Sequence, residues 1–376
     1  MIDCAFLYTK LGPHMRAWVN STAKHLRCLV IELSGDEARY PWENLVSLNC
    51  ESCVVSPSTE LSGIDLPAAR TALREILERT RPRVLFSCRY DLELVRYTAL
   101  LSKHMGSGSV LMSDSCALDR PRWWIKEMIK SSMLRRCYDG AIVAGQRSRD
   151  YALSLGFRPD AIWTGIDVVD NGHFESVARQ TESDPQKYRC QLGLPDHFFL
   201  VVARHVREKN LFRMLEALAI YREGGGSWPL VLCGTGPQTE ALRQTSLRLG
   251  CEDAVDFRGW VGYSDTPRYY ALSNALILPS VSEPWGLAVN EAMACSRVVL
   301  VSDSCGCVPE LVHRGVNGYT FDPRNPSQLA ALMAHVQHSD ETVLSAMGMQ
   351  GRIIVEQFSH VSRDLAIMDC CTSLVL

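Results

Sequence analysis

Short apolar runs alternate with longer stretches of helical periodicity along most of the chain. In the first half, residues 4–8, 28–33, 84–87, 109–112, 141–143 and 161–164 are apolar, β-rich and of strand length. Between them, residues 68–78, 91–103 and 122–137 space their apolar side chains as helices do. Strands alternating with helices in this way predict a parallel sheet covered on both faces.

The pattern thins at residues 175–195, where the polar string Arg-Gln-Thr-Glu-Ser-Asp-Pro-Gln-Lys reads as a linker. It then restarts, with strands expected at 198–203, 230–233, 254–257, 275–278, 298–302 and 319–321. In the stretch 209–222, Leu211, Met214, Leu215 and Leu218 fall at i, i+3, i+4 and i+7, one buried helical stripe that Gly224-Gly-Gly226 ends. Two doubly wound α/β domains follow, residues 1–180 and 181–355, facing each other across a cleft. A ligand is expected at the carboxyl ends of the strands.

Length supports the division, because 376 residues exceed what one hydrophobic core usually organises. With 47% hydrophobic and 22% charged residues the composition is that of an ordinary globular protein. A net charge of −3 carries no nucleic-acid signature. No apolar run approaches the roughly 20 residues of a membrane-spanning helix. The opening Met-Ile-Asp-Cys-Ala-Phe-Leu-Tyr lacks a basic leader and reads as a first strand, so a cytoplasmic protein is expected. The 15 cysteines are scattered through strands and helices, as at Cys4, Cys28, Cys88 and Cys233, which suits buried thiols better than a disulfide framework. Cys50-Glu-Ser-Cys53 lacks the second pair a zinc site needs, and Cys305-Gly-Cys307 and Cys370-Cys371 carry less signal still.

The chemistry concentrates in Ser282-Glu-Pro-Trp-Gly-Leu-Ala-Val-Asn-Glu-Ala-Met-Ala294. Pro284 and Gly286 suit a tight strand-to-helix connection, and a helix starting there presents unpaired backbone N–H groups and a positive dipole end to an anion. Glu291 lies about 7–8 Å of axial rise beyond Gly286. Glu283 and Glu291 are therefore spaced to hold opposite ends of one ligand, not to share one proton. Arg204 and Lys209 flank the end of an earlier strand, where a pair of cations suits a diphosphate. Gly234-Thr-Gly236 ends the next strand and lets backbone come close to a ligand.

Residues 120–136, Arg-Pro-Arg-Trp-Trp-Ile-Lys-Glu-Met-Ile-Lys-Ser-Ser-Met-Leu-Arg-Arg, set an apolar face of Trp124, Ile125, Met128, Ile129 and Met133 among six cations and one acid, Glu127. One reading is a helix packed on its own domain with a solvated basic side. The other is peripheral contact with an anionic membrane surface. His14, Arg89 and Asp114 follow strands of the first half and could face a ligand. Asp170-Asn171 lies near the domain boundary.

Taken in order and spacing, these elements resemble the donor domain of GT-B-fold retaining glycosyltransferases, family 4 (glycosyl transferases group 1). The stretch runs from about Tyr188 to Val336. Its matching elements are Val202-Ala-Arg204 with Lys209-Asn210, Leu232-Cys-Gly-Thr-Gly-Pro237, Phe257-Arg-Gly-Trp-Val261, Leu278-Pro-Ser280, Glu283 to Glu291, and Gly315-Val-Asn-Gly318 near Pro309-Glu310. Ala203 departs from the family, which often has glycine before the arginine.

The resemblance implies a metal-independent enzyme without a cofactor, its co-substrate a UDP-, GDP- or ADP-sugar. Its acceptor would be a glycan, a lipid-linked molecule or a small molecule, in the manner of polysaccharide biosynthesis. Glu291 would bind the ribose hydroxyls, and Arg204 with Lys209 would neutralise the diphosphate. Amides at Gly286 and Leu287 would touch phosphate and sugar, and Glu283 would hold a sugar hydroxyl. Trp260 and Val261 would face the base, and Gly12 would lie near the phosphates. Residues 356–376 would form a terminal helix crossing back to the first domain. A sugar-nucleotide epimerase or hydrolase of the same fold, or a non-catalytic sugar-nucleotide-binding protein, are the competing readings.

Overall fold

A computed structural model describes residues 2–36, 47–119 and 122–374. Arg120 and Pro121 of the basic stretch, and Val375 and Leu376 at the end of 356–376, lie outside the described residues. The chain forms two compact units, one of Met1–Ala117, Pro121–Val168 and His360–Leu376, the other of Leu118–Arg120 and Val169–Ser359.

In chain order the first unit holds β1 (Cys4–Tyr8), α1 (Pro13–Thr22), β2 (Cys28–Asp36), β3 (Glu51–Glu60), α2 (Leu66–Thr80), β4 (Val84–Ser87), α3 (Glu93–His104), β5 (Gly108–Ser113), α4 (Trp124–Cys137), β6 (Gly140–Val143), α5 (Gln146–Ser154) and β7 (Ile162–Thr164). All strand pairs are parallel, in the order β3-β2-β1-β4-β5-β6-β7. Strands β1, β4 and β6 are buried along their whole length, as strands covered by helices on both faces must be.

The second unit holds α6 (Asn171–Glu182), α7 (Pro185–Leu192), β8 (Phe199–Val202), α8 (Leu211–Glu223), β9 (Leu230–Cys233), α9 (Thr239–Arg248), β10 (Val255–Gly259), α10 (Thr266–Leu272), β11 (Ala275–Leu278), α11 (Leu287–Ala294), β12 (Val298–Ser302), α12 (Val308–Leu311), β13 (Gly318–Phe321), α13 (Pro326–Gln337) and α14 (Glu341–Val355). Its sheet, also parallel, runs β10-β9-β8-β11-β12-β13. Leu211, Met214, Leu215 and Leu218 of α8 are all buried in one core with β8, β9 and β11.

The last helix, α15 (His360–Ser373), returns to the first unit. Arg363 is fully buried there, donating to Thr22 Oγ1 at 3.0 Å with its guanidinium over the rings of Phe6 and Trp18. Asp364 accepts from Ser21 Oγ at 2.5 Å and from Thr22 Oγ1 at 2.6 Å. Ile367, Cys370 and Cys371 complete the apolar core against β1 and β4.

Residues 175–195 depart from the expected linker, because they fold into most of α6 and all of α7. Asp184 caps α7 by accepting from Lys187 N at 3.3 Å, Pro185 fills the first turn, and left-handed Gly193 ends it. The string is polar because it joins the end of α6, which buries only Thr181 there, to α7, which buries no residue, and not because it is irregular. The division between units also falls earlier than 180, at Val168/Val169. The physical reason is α6, whose Phe174 is fully buried against Tyr263 and Tyr270 of the second unit. Finally, the helix expected from 209 starts at Leu211, after a 3-10 turn at Arg207–Lys209 and a left-handed Asn210.

Candidate functional site

Within the second unit, the chain leaving β8 carries half-buried Arg204 and buried His205, then enters the 3-10 turn Arg207–Lys209. Val281 N–H donates to Glu208 O at 2.9 Å, tying this turn to the loop after β11. Across that tie, Lys209 Nζ donates to Glu283 Oε2, and Ser280 Oγ donates to the same oxygen at 3.0 Å. Lys209 and Glu283 thus form an ion pair whose side chains are only 18% and 12% exposed. A charge-assisted pair at that depth is held in one geometry. Asn210 reinforces the junction, its Nδ2 donating to Pro279 O at 3.0 Å and Pro323 O at 2.8 Å.

Beyond Glu283, Gly286 adopts φ +115° and leads into α11, where a Cβ would lie 2.9 Å from Leu278 Cδ2. Its backbone strongly favours glycine. Val289 N–H donates back to Gly286 O at 2.8 Å, and the first amides of such a helix start, at its positive dipole end, suit an anion. Glu291 is buried inside α11 and accepts from Tyr270 Oη at 2.6 Å. Burial and the Glu291 carboxylate hold the Tyr270 phenol well above its ordinary pKa, so it stays a donor. Tyr270→Phe is expected to cost about 1–3 kcal/mol of stability, because a buried carboxylate loses a partner. Thermal or urea unfolding measures the loss, and an unchanged midpoint would deny Tyr270 this role.

The glycines of Gly234-Thr-Gly236 answer a packing need. Gly234 has φ +133°, and a Cβ there would lie 1.9 Å from Ala203 O; at Gly236 it would lie 2.5 Å from His205 O. The close approach is therefore to the backbone leaving β8. Gly234 N–H donates to Gly259 O at 2.6 Å, beside Trp260, which is 47% exposed, and half-buried Val261.

Sequence reasoning set aside Cys305-Gly-Cys307, yet this segment clamps the Glu283 loop. Glu283 and Cys305 form a parallel bridge, Gly306 N–H donates to Glu283 O at 2.9 Å, and Cys307 N–H donates to Trp285 O at 3.2 Å. A Cβ on Gly306 would lie 1.7 Å from Pro284 O. Trp285, itself buried, donates through Nε1 to Asn290 Oδ1 at 2.9 Å, fastening the loop to α11. A glycine between two buried cysteines was the only signal.

Gly12, His14, Arg89 and Asp114 lie in the first unit, Asp170 and Asn171 in the second. Gly12 caps α1 in an extended conformation open to any residue, and Leu11 N–H donates to Glu32 Oε2 at 2.9 Å. His14 lies in the first turn of α1. Arg89, left-handed at φ 60°, pairs with Asp91 at 2.9 Å, and Asp114 O accepts from Ser148 Oγ at 2.8 Å. Asp170 caps α6, accepting from His173 N at 3.0 Å, and Asn171 Nδ2 donates to Val355 O at 3.0 Å. All 15 cysteines are free thiols, and burial raises Cys50 to about 11. Among the described residues no group of three or more His, Cys, Asp or Glu could hold a metal ion.

Residues 185–352 match the family "Glycosyl transferases group 1". An uncharacterized glycosyltransferase, MJ1607 of Methanocaldococcus jannaschii, is 30% identical over 145 residues, 38% of this chain and 37% of that protein. The amylovoran biosynthesis glycosyltransferase AmsK of Erwinia amylovora is 27% identical over 195 residues, 49% of this chain and 47% of that one. The matches thus span less than half the length of these curated relatives. The crystal structure of Anabaena Alr3699/HepE in complex with UDP superposes with a TM-score of 0.78 at 19% identity, covering 99% of this chain and 100% of that one. The fold is GT-B.

Proposed function

We propose that this chain, a GT-B protein whose residues 185–352 form a glycosyl transferases group 1 domain, is a retaining, metal-independent glycosyltransferase that uses a nucleotide sugar. The observation that carries the reading is the half-buried Lys209–Glu283 pair, in the loop that opens α11 and leads to Glu291. Lys209 and Glu283 follow the neighbouring strands β8 and β11, and Glu291 lies on the helix that follows β11.

In this reading Glu291 binds the ribose hydroxyls with the carboxylate that Tyr270 orients. Arg204, Lys209 and the amides at Gly286 and Leu287 take up the charge that develops as the diphosphate leaves. Glu283, oriented by Lys209 and Ser280, holds a donor sugar hydroxyl. Trp260 and Val261 flank the base. Attack by the acceptor hydroxyl on the face the diphosphate leaves retains the anomeric configuration, the departing phosphate taking the acceptor's proton. UDP-sugars are the first donors to test, given UDP in HepE, and a growing polysaccharide is the first acceptor, given amylovoran biosynthesis by AmsK.

Incubation with UDP-, GDP- and ADP-sugars, with and without saccharide, lipid-linked and small-molecule acceptors, tests the proposal. Acceptor-dependent release of nucleoside diphosphate that survives EDTA, with the product anomer retained by NMR, is the expected result. Release without acceptor would favour a hydrolase, interconversion of sugars an epimerase, and binding without release a carrier. An inverted product would end the retaining mechanism.

A further inference from the structure

We infer that the outer face of α4 docks on an anionic lipid surface. Periodicity alone allowed this helix to bury its apolar side against its own unit, and the structure shows that it does not. Trp124 is 73% exposed and Ile129 65%, with Trp123, Ile125 and Met128 exposed beside them, whereas only Leu134 and Cys137 of α4 are buried. Two tryptophans and three aliphatic side chains on adjoining turns make a contiguous apolar patch, unlike scattered single exposures.

Charge decides what covers this patch. Lys126, Arg135 and Arg136 are exposed on the same helix. Glu127, the only acid of the stretch, turns inward, accepting from Tyr151 Oη and pairing with Arg122. Lys130 is also drawn inward, donating to Tyr151 Oη at 2.7 Å. The outward face is therefore apolar and cationic with no exposed carboxylate, on a chain whose net charge is −3. Indole rings settle at the headgroup level of a bilayer, aliphatic side chains enter the acyl boundary, and lysine and arginine attract anionic headgroups. That combination suits a membrane interface better than an apolar protein partner. Among the described residues no helix is long and apolar enough to cross a membrane, so the contact is one of lying on the surface.

The inference stands apart from the proposed reaction, because its test needs no substrate. The full chain is floated with vesicles of phosphatidylcholine alone and of phosphatidylcholine with phosphatidylglycerol, at low and high salt. Co-flotation is expected with the anionic vesicles at low salt, falling at high salt. W123S/W124S, and separately K126E/R135E/R136E, are expected to lower bound protein at least about tenfold. Both sets of changes are at exposed positions, and unchanged circular dichroism and melting verify their folding. Absence of flotation on anionic vesicles at low salt would overturn the inference, as would flotation that neither variant reduces. A solution dimer abolished by W123S/W124S, without lipid binding, would give the face to a second copy and overturn it equally.

Discussion

Alanine at Arg204 or at Lys209 is expected to lower nucleoside diphosphate release by about 10²- to 10³-fold, with the rest of the fold intact. In the proposed reaction the largest change of charge is on the departing diphosphate, and these two cations follow β8 at less exposed positions than Arg207. Lys209 needs a control, because its removal also leaves Glu283 without its cation in a site only 12% exposed. An uncompensated carboxylate there costs stability by itself. K209A/E283Q removes both charges. It is expected to recover stability relative to K209A while turnover stays low, as read by urea unfolding and product release. Near-normal turnover in Arg204→Ala or Lys209→Ala would withdraw that residue from catalysis.

Gly306→Ala is expected to lose about 3 kcal/mol or more of folding stability, and turnover with it. The added Cβ would meet Pro284 O at 1.7 Å, a clash of Cβ with backbone that no side-chain rotation relieves. Relief requires the 283–285 loop to move away from Gly306 and Cys307, which breaks the bonds from their N–H groups to Glu283 O and Trp285 O. Gly262→Ala is the matched control, since its nearest neighbour to a new Cβ is Ser264 Oγ at 4.0 Å. Urea unfolding of the two variants makes the comparison. Equal stabilities would show that the clamp is not rigid.

The central strands of both sheets were legible because a strand buried on both faces is apolar at every position, as Leu230–Cys233 and Ala275–Leu278 are. Strand β3 was not. It lies at the edge of its sheet, is largely exposed, and contains Pro57, which an edge tolerates. Its sequence therefore resembles a loop. The same confusion of polarity with irregularity turned α6 and α7 into a linker. In α4 the sequence announced a helix but could not say which side met solvent, since that depends on what lies beneath it.

At the candidate site, charges and the helix start were visible, and the contacts that fix them were not. Glu283 and Lys209 lie far apart in the chain, and nothing local to either specifies that they meet. The pairing follows from β8 and β11 being neighbours, which a list of strands does not reveal. The Gly306 clamp is more hidden still, because its recognition is between backbones. Glycine's role can be read from local sequence at a turn such as Gly286, but not where it makes room for a distant strand exit, as at Gly234.

The return of α15 to the first unit has a consequence for synthesis. Residues 1–168 emerge from the ribosome first, yet their core lacks Arg363, Asp364 and Ile367 until the whole of 169–359 has followed. The second unit is one run of sequence apart from the short 118–120 segment, so no part of it waits for residues beyond 359. The order of completion is thus the reverse of the order of translation. A nascent chain stalled before residue 360 would display the α1 groove, with Thr22 and Trp18 uncovered, to whatever waits at the tunnel exit.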